Sequence, residues 1–314
     1  MDCPTNEERM RNMLSIILPA FNEELNIPYA CNKISKIMIE EKITFELIFV
    51  DDGSKDGTWS SIEQAAQNMN FIHGISFSRN FGKEAALIAG LSIAKGDCCA
   101  VMDCDLQHPP QTLIKMYHLW EDGYEIVEGV KTSRGKENIF HNIAARSFYR
   151  IISKATGIDM SRASDFKLMD RKVVDCLLAM QEKAIFFRAL SSWIGFRKIQ
   201  VEFAVQERMS GESKWSTKSL IKYAITNITS FCTLPMQMVT GLGILYLFFA
   251  IILFMQTIVK YLSGEALEGF STVIILLLLT GSLIMISLGI LGYYITKIYD
   301  EVRNRPRYII SKSL

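Results

Sequence analysis

Two stretches without a charged residue dominate the C-terminal third of the chain. Residues 235–259 (PMQMVTGLGILYLFFAIILFMQTIV) and 270–296 (FSTVIILLLLTGSLIMISLGILGYYIT) each exceed the roughly 20 residues an α-helix needs to cross a bilayer's hydrocarbon core. Two such runs joined by a short polar loop are uncommon as core helices of a water-soluble domain, so two transmembrane helices are expected. They also account for a hydrophobic fraction of 49% and a mean hydropathy of +0.18. Lys214, Lys218 and Lys222 precede the first run, and Lys297, Arg303, Arg305 and Arg307 follow the second, whereas the loop KYLSGEALEG carries one lysine and two glutamates. The positive-inside rule then places both termini in the cytosol and a short hairpin outside, as a multi-pass protein of a cell's inner (plasma) membrane.

The opening stretch MDCPTNEERMRN is charged and lacks the apolar core of a signal peptide, so the domain behind it is expected to stay cytosolic. Seven cysteines without regular spacing fit a reducing compartment. From residue 14 onward, strand-like runs (MLSIILPA, FELIFVDD, FIHGISFS, CCAVMDCD, YEIVEGV) alternate with helical patterns near Asn26–Glu40, Thr58–Met69, Glu84–Ala94 and Pro110–Glu121. Strands apolar on both faces and alternating with helices predict an α/β domain with a mostly parallel, two-sided sheet. Beyond it, a helical stretch is expected at 138–155, a strand and helix start in SDFKLMDRKVV, a helix in AIFFRALSSWIG and a strand near 198–206. Residues 215–232 place Leu220, Ile221, Ala224, Ile225 and Ile228 near one face, as an amphipathic helix lying at a membrane surface would. The expected organisation is a tail at 1–13, the sheet domain at 14–214, the interface helix at 215–232, the spans at 235–259 and 270–296, and a basic cytosolic tail at 297–314.

Ligands of parallel α/β sheets sit at the carboxyl ends of strands, and polar turns follow each of the first five here. They are Asn22-Glu23-Glu24, Asp51-Asp52-Gly53-Ser54, Ser78-Arg79-Asn80, Asp103-Cys104-Asp105 and Lys131-Thr132-Ser133-Arg134. Asp103 and Asp105 can face one hard cation, Mg2+ or Mn2+, which prefers oxygen ligands and keeps substrate phosphates in its shell. Two carboxylates are too few to hold it alone, which points to a diphosphate as the remaining ligand; Gln107 could add an amide oxygen. His108 fits either a supporting turn or a ligand contact. Asp56 reads as a helix cap, while Asp52 could meet a nucleobase or ribose. Gly82 and Lys83 open a helix, where amides and a cation attract anions.

The ordered set LPAFNEE, VDDGSKDGT, SRNFGKEAA, MDCDLQHPP, SDFKLMDR and ERMSGESKWS, ending in two spans, resembles the polyprenyl-phosphate glycosyltransferases of glycosyltransferase family 2. Bactoprenol glucosyltransferases are the nearest in pattern and dolichol-phosphate mannose synthases more distant. The resemblance runs from residue 14 nearly to the end and implies a GT-A fold. It implies that Pro19, Phe21 and Glu23 contact the nucleotide, that Val50 and Asp52 surround base and ribose, and that Lys83, Asp103 and Cys104 complete the donor site. Phe21 stands where the motif commonly has tyrosine, keeping the ring and losing the hydroxyl. Asp103, Asp105 and Gln107 would line the metal. Arg134, Arg146, Arg208 and Lys214 would bind donor or acceptor phosphates. Asp165 would lie near the reacting carbon, although a strand-end carboxylate pairing with Lys167 or Arg171 is the competing reading.

The resemblance implies an inverting transfer of a hexose from a nucleotide sugar, UDP-glucose first, to polyprenyl (undecaprenyl) phosphate. The product would supply cell-surface glycan or lipid modification. Other donors, namely a UDP-N-acetylhexosamine, an aminoarabinose derivative or GDP-mannose, would need only local pocket changes. A processive polysaccharide synthase would carry a Gln-x-x-Arg-Trp motif, which FFRALSSW does not match, and a non-catalytic scaffold has no need of both Asp103 and Asp105. A homotetramer is expected from the resemblance. No nucleic-acid partner is expected; 34 basic and 33 acidic residues leave a net charge of +1.

Overall fold

The structure, a computed structural model, describes residues 12–132, 164–180, 182, 186–204, 234–264 and 269–314. Among these, β1 (Leu14–Ala20), β2 (Phe45–Asp51), β3 (Ile72–Phe77), β4 (Cys98–Val101), β5 (Ile126–Lys131), β6 (Lys167–Asp170), β7 (Lys198–Phe203) and β8 (Ile310–Ser313) form one sheet, in the order β7-β5-β6-β4-β1-β2-β3-β8. Strands β1 to β4 pair in parallel, as do β5 and β7. β6 runs antiparallel between β4 and β5, and β8 antiparallel to β3. Leu14, Ile16, Ile17 and Leu18 of β1 and Leu47 to Val50 of β2 are fully buried, as strands covered on both faces must be.

Helices α1 (Asn26–Glu40), α2 (Thr58–Asn68), α3 (Lys83–Ile93), α4 (Pro110–Glu121), α5 (Arg171–Ala179) and α6 (Phe187–Trp193) flank the strands. α1 is amphipathic, turning Ile27, Ala30, Ile34 and Met38 inward at intervals of three and four. Each of its large apolar side chains contributes about 1.5–3 kcal/mol by leaving water. α3 has no polar stripe over its middle, since Ala85 through Leu91 are all buried. Its small residues let it lie close against the sheet: a Cβ on Gly90 would sit 2.5 Å from Ile17 Cγ2 and 3.1 Å from Val50 Cγ2. That packing fixes the helix whose first residue is Lys83.

The reversal of β6 positions the site. Because β6 is antiparallel to β4, with Val101 opposite Lys167, the residues entering β6 lie at the same sheet edge as those leaving β4. The segments 103–105 and 164–166 are thereby neighbours.

The sheet unit also includes Pro306–Leu314. β8 extends the β3 edge, with Leu314 N–H donating to the Gly74 carbonyl at 2.9 Å and Ser78 N–H to that of Ile309 at 3.0 Å. Tyr308 stacks on Phe77 with centroids 5.1 Å apart. Residues 297–314, expected as a basic tail, are thus divided between a helix end and an edge strand.

Residues 216–305 form a second unit, described as two helices, α7 (Leu234–Leu262) and α8 (Phe270–Val302). Within them Met236–Leu262 and Leu276–Val302 are long and apolar enough to cross a membrane, with mean hydropathies of 2.5 and 2.1 and no burial. Leucines and isoleucines stay exposed along both, with Phe248, Phe249 and Phe254 on α7, which in water would be a large apolar patch. The Tyr246 hydroxyl joins the two helices through Thr280 and the Leu276 carbonyl. The helix expected at 138–155 and the interface helix at 215–232 lie outside the described residues.

Candidate active site

The turns after β1 and β2 are laced to each other. Asn22 N–H donates to Ser54 Oγ at 2.8 Å, and Asn22 Oδ1 accepts from Lys55 N–H at 2.9 Å. Asp51 accepts from Ser54 N–H at 2.9 Å and from the Ser76 hydroxyl at 2.7 Å. Asp52, 4% exposed, accepts from the amides of Phe81 at 2.7 Å and Gly82 at 2.9 Å. Its carboxyl is pushed up by burial, against the pull of those amides. Between them Gly53 has φ +67°, and a Cβ there would lie 2.4 Å from the Arg79 carbonyl carbon. Only glycine satisfies both constraints. Asp56, expected as a helix cap, lies one residue before the N-cap Gly57, which leaves α2 without a side-chain cap, and accepts instead from Thr58 N–H at 3.1 Å.

The segment after β4 is the polar centre. Asp103 and Asp105 are partly exposed, while Cys104 and Leu106 are buried. Leu106 adopts φ +53°, a left-handed conformation that costs a branched residue about 1 kcal/mol or more and is commonest at functional turns. Asp105 Oδ1 accepts from Gln107 N–H at 3.1 Å. His108 is a supporting residue: it is buried, stacks on Phe166 at 4.6 Å and meets Phe203 edge-on. Burial lowers its pKa, and its Nδ1 faces Asp103 N–H at 3.5 Å.

Lys83 bridges the two neighbouring segments, with Nζ 2.5 Å from Asp103 Oδ1 and 3.4 Å from Asp165 Oδ2. Asp165 is also gripped by the Arg188 fork, Nε to Oδ1 at 2.7 Å and a terminal nitrogen to Oδ2 at 2.7 Å. Burial would raise the carboxyls of Asp103 and Asp165, but Lys83 beside the first and Arg188 with Lys83 beside the second hold both below the usual carboxylate range. Burial would likewise lower Lys83, and Asp103 with Asp165 hold it above its ordinary value. Glu84, next on α3, accepts from Phe187 N–H at 3.0 Å and is pushed up to about 7 by burial and by the Asp165 charge.

Of the expected site residues, the structure brings Lys83, Asp103 and Asp165 into contact, with Asp105 two residues beyond Asp103 in the chain. The pairing expected as the alternative for Asp165 is corrected: Lys167 pairs with Glu128, and Arg171 donates to the carbonyls of Ala94 and Gly96. Pro19 and Phe21 are partly exposed at the end of β1. The Glu23 carboxylate accepts from Asn26 at the start of α1. Val50 is fully buried, with its side chain near Gly90 and its strand paired on both sides. Cys104 turns inward, Sγ 3.3 Å from the Pro19 carbonyl, with its thiol pushed well up by burial. Arg134, Arg146, Arg208 and Lys214 lie outside the described residues. Arg188 was not among the expected site residues; the signal available was a lone arginine in the apolar run AIFFRALSSW.

Among the described residues no group of three or more His, Cys, Asp or Glu side chains is arranged to enclose a metal. The partly exposed carboxylates of Asp103 and Asp105 have the oxygen chemistry a divalent cation takes when a ligand completes its shell, and Asp103 already faces a positive charge, the Lys83 ammonium.

A mixed α/β sheet with two aspartates leaving a central strand, followed by two apolar helices, is the arrangement expected of a GT-A-type domain. The chain belongs to glycosyl transferase family 2, whose family model matches residues 15–178. It is 38% identical over 305 residues to the uncharacterized glycosyltransferase YkcC of Bacillus subtilis, covering 95% of this chain and 93% of that one. It is 35% identical to the SfII prophage-derived bactoprenol glucosyl transferase of Shigella flexneri, covering 96% and 98%. Among solved structures it resembles, in fold, the glucosyl-3-phosphoglycerate synthase of Mycobacterium tuberculosis in complex with Mn2+ and UDP-glucose, with a TM-score of 0.51, 18% identity and coverage of 71% and 80%.

Proposed function

We propose that this glycosyltransferase moves a hexose, with UDP-glucose as the leading donor, to polyprenyl phosphate on the cytosolic face of a bacterial plasma membrane, inverting the anomeric centre. The observation that carries this reading is the Lys83 ammonium between Asp103 and Asp165, with Arg188 on the far side of Asp165, at one sheet edge. The bactoprenol glucosyl transferase relatives, matched over nearly their whole length, support the lipid acceptor. The course of the chain supports the sidedness: residues 306–314 join the same sheet unit that precedes α7 and α8, so two crossings return the chain to its starting side. The tetramer belongs to the same reading and is tested by the mass of the detergent-solubilised protein.

In this reading an oxygen of the lipid phosphate attacks the anomeric carbon while its bond to the nucleoside diphosphate breaks. The nucleophile is already anionic, since the second pKa of a phosphate monoester is about 6, so it needs positioning more than a base. Asp165 matches that need, because a carboxylate held ionised by Arg188 and Lys83 is a poor proton acceptor and a good fixed point. Asp103, Asp105 and Gln107 would hold Mg2+ or Mn2+, which would offset charge developing on the leaving diphosphate. Lys83, at the N-terminus of α3, adds a positive charge at the same place. Arg134, Arg146, Arg208 and Lys214 are proposed to hold the donor and acceptor phosphates.

Transfer of radiolabelled sugar to undecaprenyl phosphate tests this, with a panel of UDP-glucose, UDP-N-acetylglucosamine and GDP-mannose. The wild-type protein is expected to label the lipid from UDP-glucose. Asp105→Ala and chelation by EDTA are each expected to remove at least about 100-fold of the rate. Undiminished transfer by Asp105→Ala in EDTA would sink the metal reading, and labelling from another donor alone would replace the sugar.

A further inference from the structure

We propose that the buried Lys167–Glu128 ion pair is the positioning device of this site, holding Asp165 and Arg188 in register from inside the core. This rests on the reading of Asp165 as the carboxylate that orients the substrates.

The pair is out of place on stability grounds alone. Its side chains are 1% and 4% exposed, with Nζ 3.1 Å from Oε1, and a buried ion pair can commonly be exchanged for apolar residues without loss. What distinguishes it is where its remaining bonds go. Glu128 and Lys167 are directly opposed cross-strand partners on β5 and β6. Glu128 Oε1 also accepts from Ser164 N–H at 2.9 Å, and Ser164 Oγ accepts from Phe166 N–H at 3.1 Å. Asp165 is therefore bracketed by two residues whose amides are pinned. On the other side, Lys167 Nζ donates to Ser191 Oγ at 2.6 Å, and that hydroxyl donates to the Arg188 carbonyl at 3.3 Å. α6 is a seven-residue helix without a side-chain cap, so its placement relies on such tertiary bonds. One ammonium and one carboxylate thus tie down both partners of the Asp165–Arg188 fork through the backbone and hydroxyl groups beside them, while the second Glu128 oxygen accepts from Gln200 Nε2 at 3.4 Å.

The test uses the full-length protein in detergent, with undecaprenyl phosphate and whichever of UDP-glucose, UDP-N-acetylglucosamine and GDP-mannose the wild type transfers. Glu128→Leu/Lys167→Met removes both charges at similar volume. It is expected to keep a thermal midpoint close to that of wild type, and to lose about tenfold or more in kcat, as small misplacements do, with donor KM changed less than threefold. Glu128→Gln/Lys167→Met keeps an acceptor for Ser164 N–H and is expected to recover most of the lost kcat. Ser191→Ala, which removes only the α6 arm, is expected to lose about threefold. A purely structural pair would instead show kcat per folded molecule equal to wild type in the Leu/Met variant, and that result overturns the proposal. Should the Leu/Met variant not fold, Ser191→Ala decides it, and kcat equal to wild type in that variant overturns the proposal. Asp165→Asn is measured in parallel. If that variant is inactive while the Leu/Met variant is fully active, positioning alone fails; if it retains full activity, the reading of Asp165 fails and takes the proposal with it.

Discussion

On the β1–β3 half of the sheet, the carboxylates of Asp51 and Asp52 are held by backbone amides and a serine hydroxyl. On the β4–β6 half, Asp103 and Asp165 are held by the cations Lys83 and Arg188. Amide bonds are short-range and fixed in direction, so the first half is a rigid template for its turns, with Asp51 and Ser54 three residues apart. A carboxylate facing a lysine can exchange that partner for another cation, because an ammonium on a four-carbon stem is a movable point charge. The first arrangement suits a surface that must keep its shape. The second suits a place where charge arrives with the substrate and leaves with the product.

Asp165→Asn breaks this comparison most severely. It removes the charge that faces both Arg188 and Lys83, and transfer is expected to fall by about 100-fold or more, with a loss of about 2–3 kcal/mol in stability. Both are read from transfer kinetics and a thermal melt on the same preparation. A variant that loses stability but keeps its rate would assign Asp165 to structure alone.

Asp52→Asn is the matched change on the other half. One amide bond can be retained by the asparagine oxygen, so about 1–3 kcal/mol of stability is expected to go. Transfer per folded molecule should stay within about threefold, because the side chain clamps Phe81 and Gly82 rather than the reacting groups. A large rise in donor KM with unchanged melting would show instead that Asp52 also meets the nucleotide.

Tyr308→Ala tests how far the rigid half depends on the chain beyond α8. The ring stacks on Phe77 and its hydroxyl lies 3.2 Å from Ser92 Oγ, and an aromatic pair of this kind contributes about 1 kcal/mol beyond its area. A fall of about 1–2 kcal/mol without a change in kcat is the expected result. No change in melting would mean that β8 adds nothing to the β3 edge.

The same contrast explains what could be read in the sequence. The place of Asp103 and Asp105 just beyond a buried central strand was legible because an apolar run ends on them. Helix α1, with its three- and four-residue spacing, and α4, opening on Pro110, matched their expected bounds. Both rest on periodicity and end signals within the segment itself. Arg188, Glu84 and the Lys167–Glu128 pair were not legible, since nothing near them in the chain reports their partners: Arg188 meets a carboxylate 23 residues away and Lys83 one 82 residues away. Those meetings are created by β6 entering antiparallel between β4 and β5, a choice of strand order that local pattern does not specify. The docking of residues 310–313 on β3 was missed for the same reason, since a short segment after two apolar helices carries no signal of the edge it will join.

The smallest expected effect lies at Glu84, on the cation-held half. Its pKa is raised from an ordinary 4.5 to about 7 by burial and by the charge of Asp165. A raised carboxyl binds its proton more tightly in the folded than in the unfolded chain, so stability falls as pH rises between those two values and levels off above the second. Asp103 and Asp165 act in the opposite sense. Their depressed pKa values contribute stability that is fully present above about pH 4 and is lost as pH falls further. The two windows do not overlap, which makes the Glu84 contribution separable. Thermal melts of the wild type from pH 5 to 8 are expected to show a decline of about 2–4 °C that ends near pH 7. Glu84→Gln should lose that decline, leaving the rise with pH that His108, its pKa lowered by burial, gives below about pH 6.5, while keeping the loss below pH 4. If both proteins decline alike, the proton belongs to another group, and Asp165 is not raising its neighbour; the charge on Asp165 would then be neutralised by Arg188 and Lys83 more completely than the fork geometry implies.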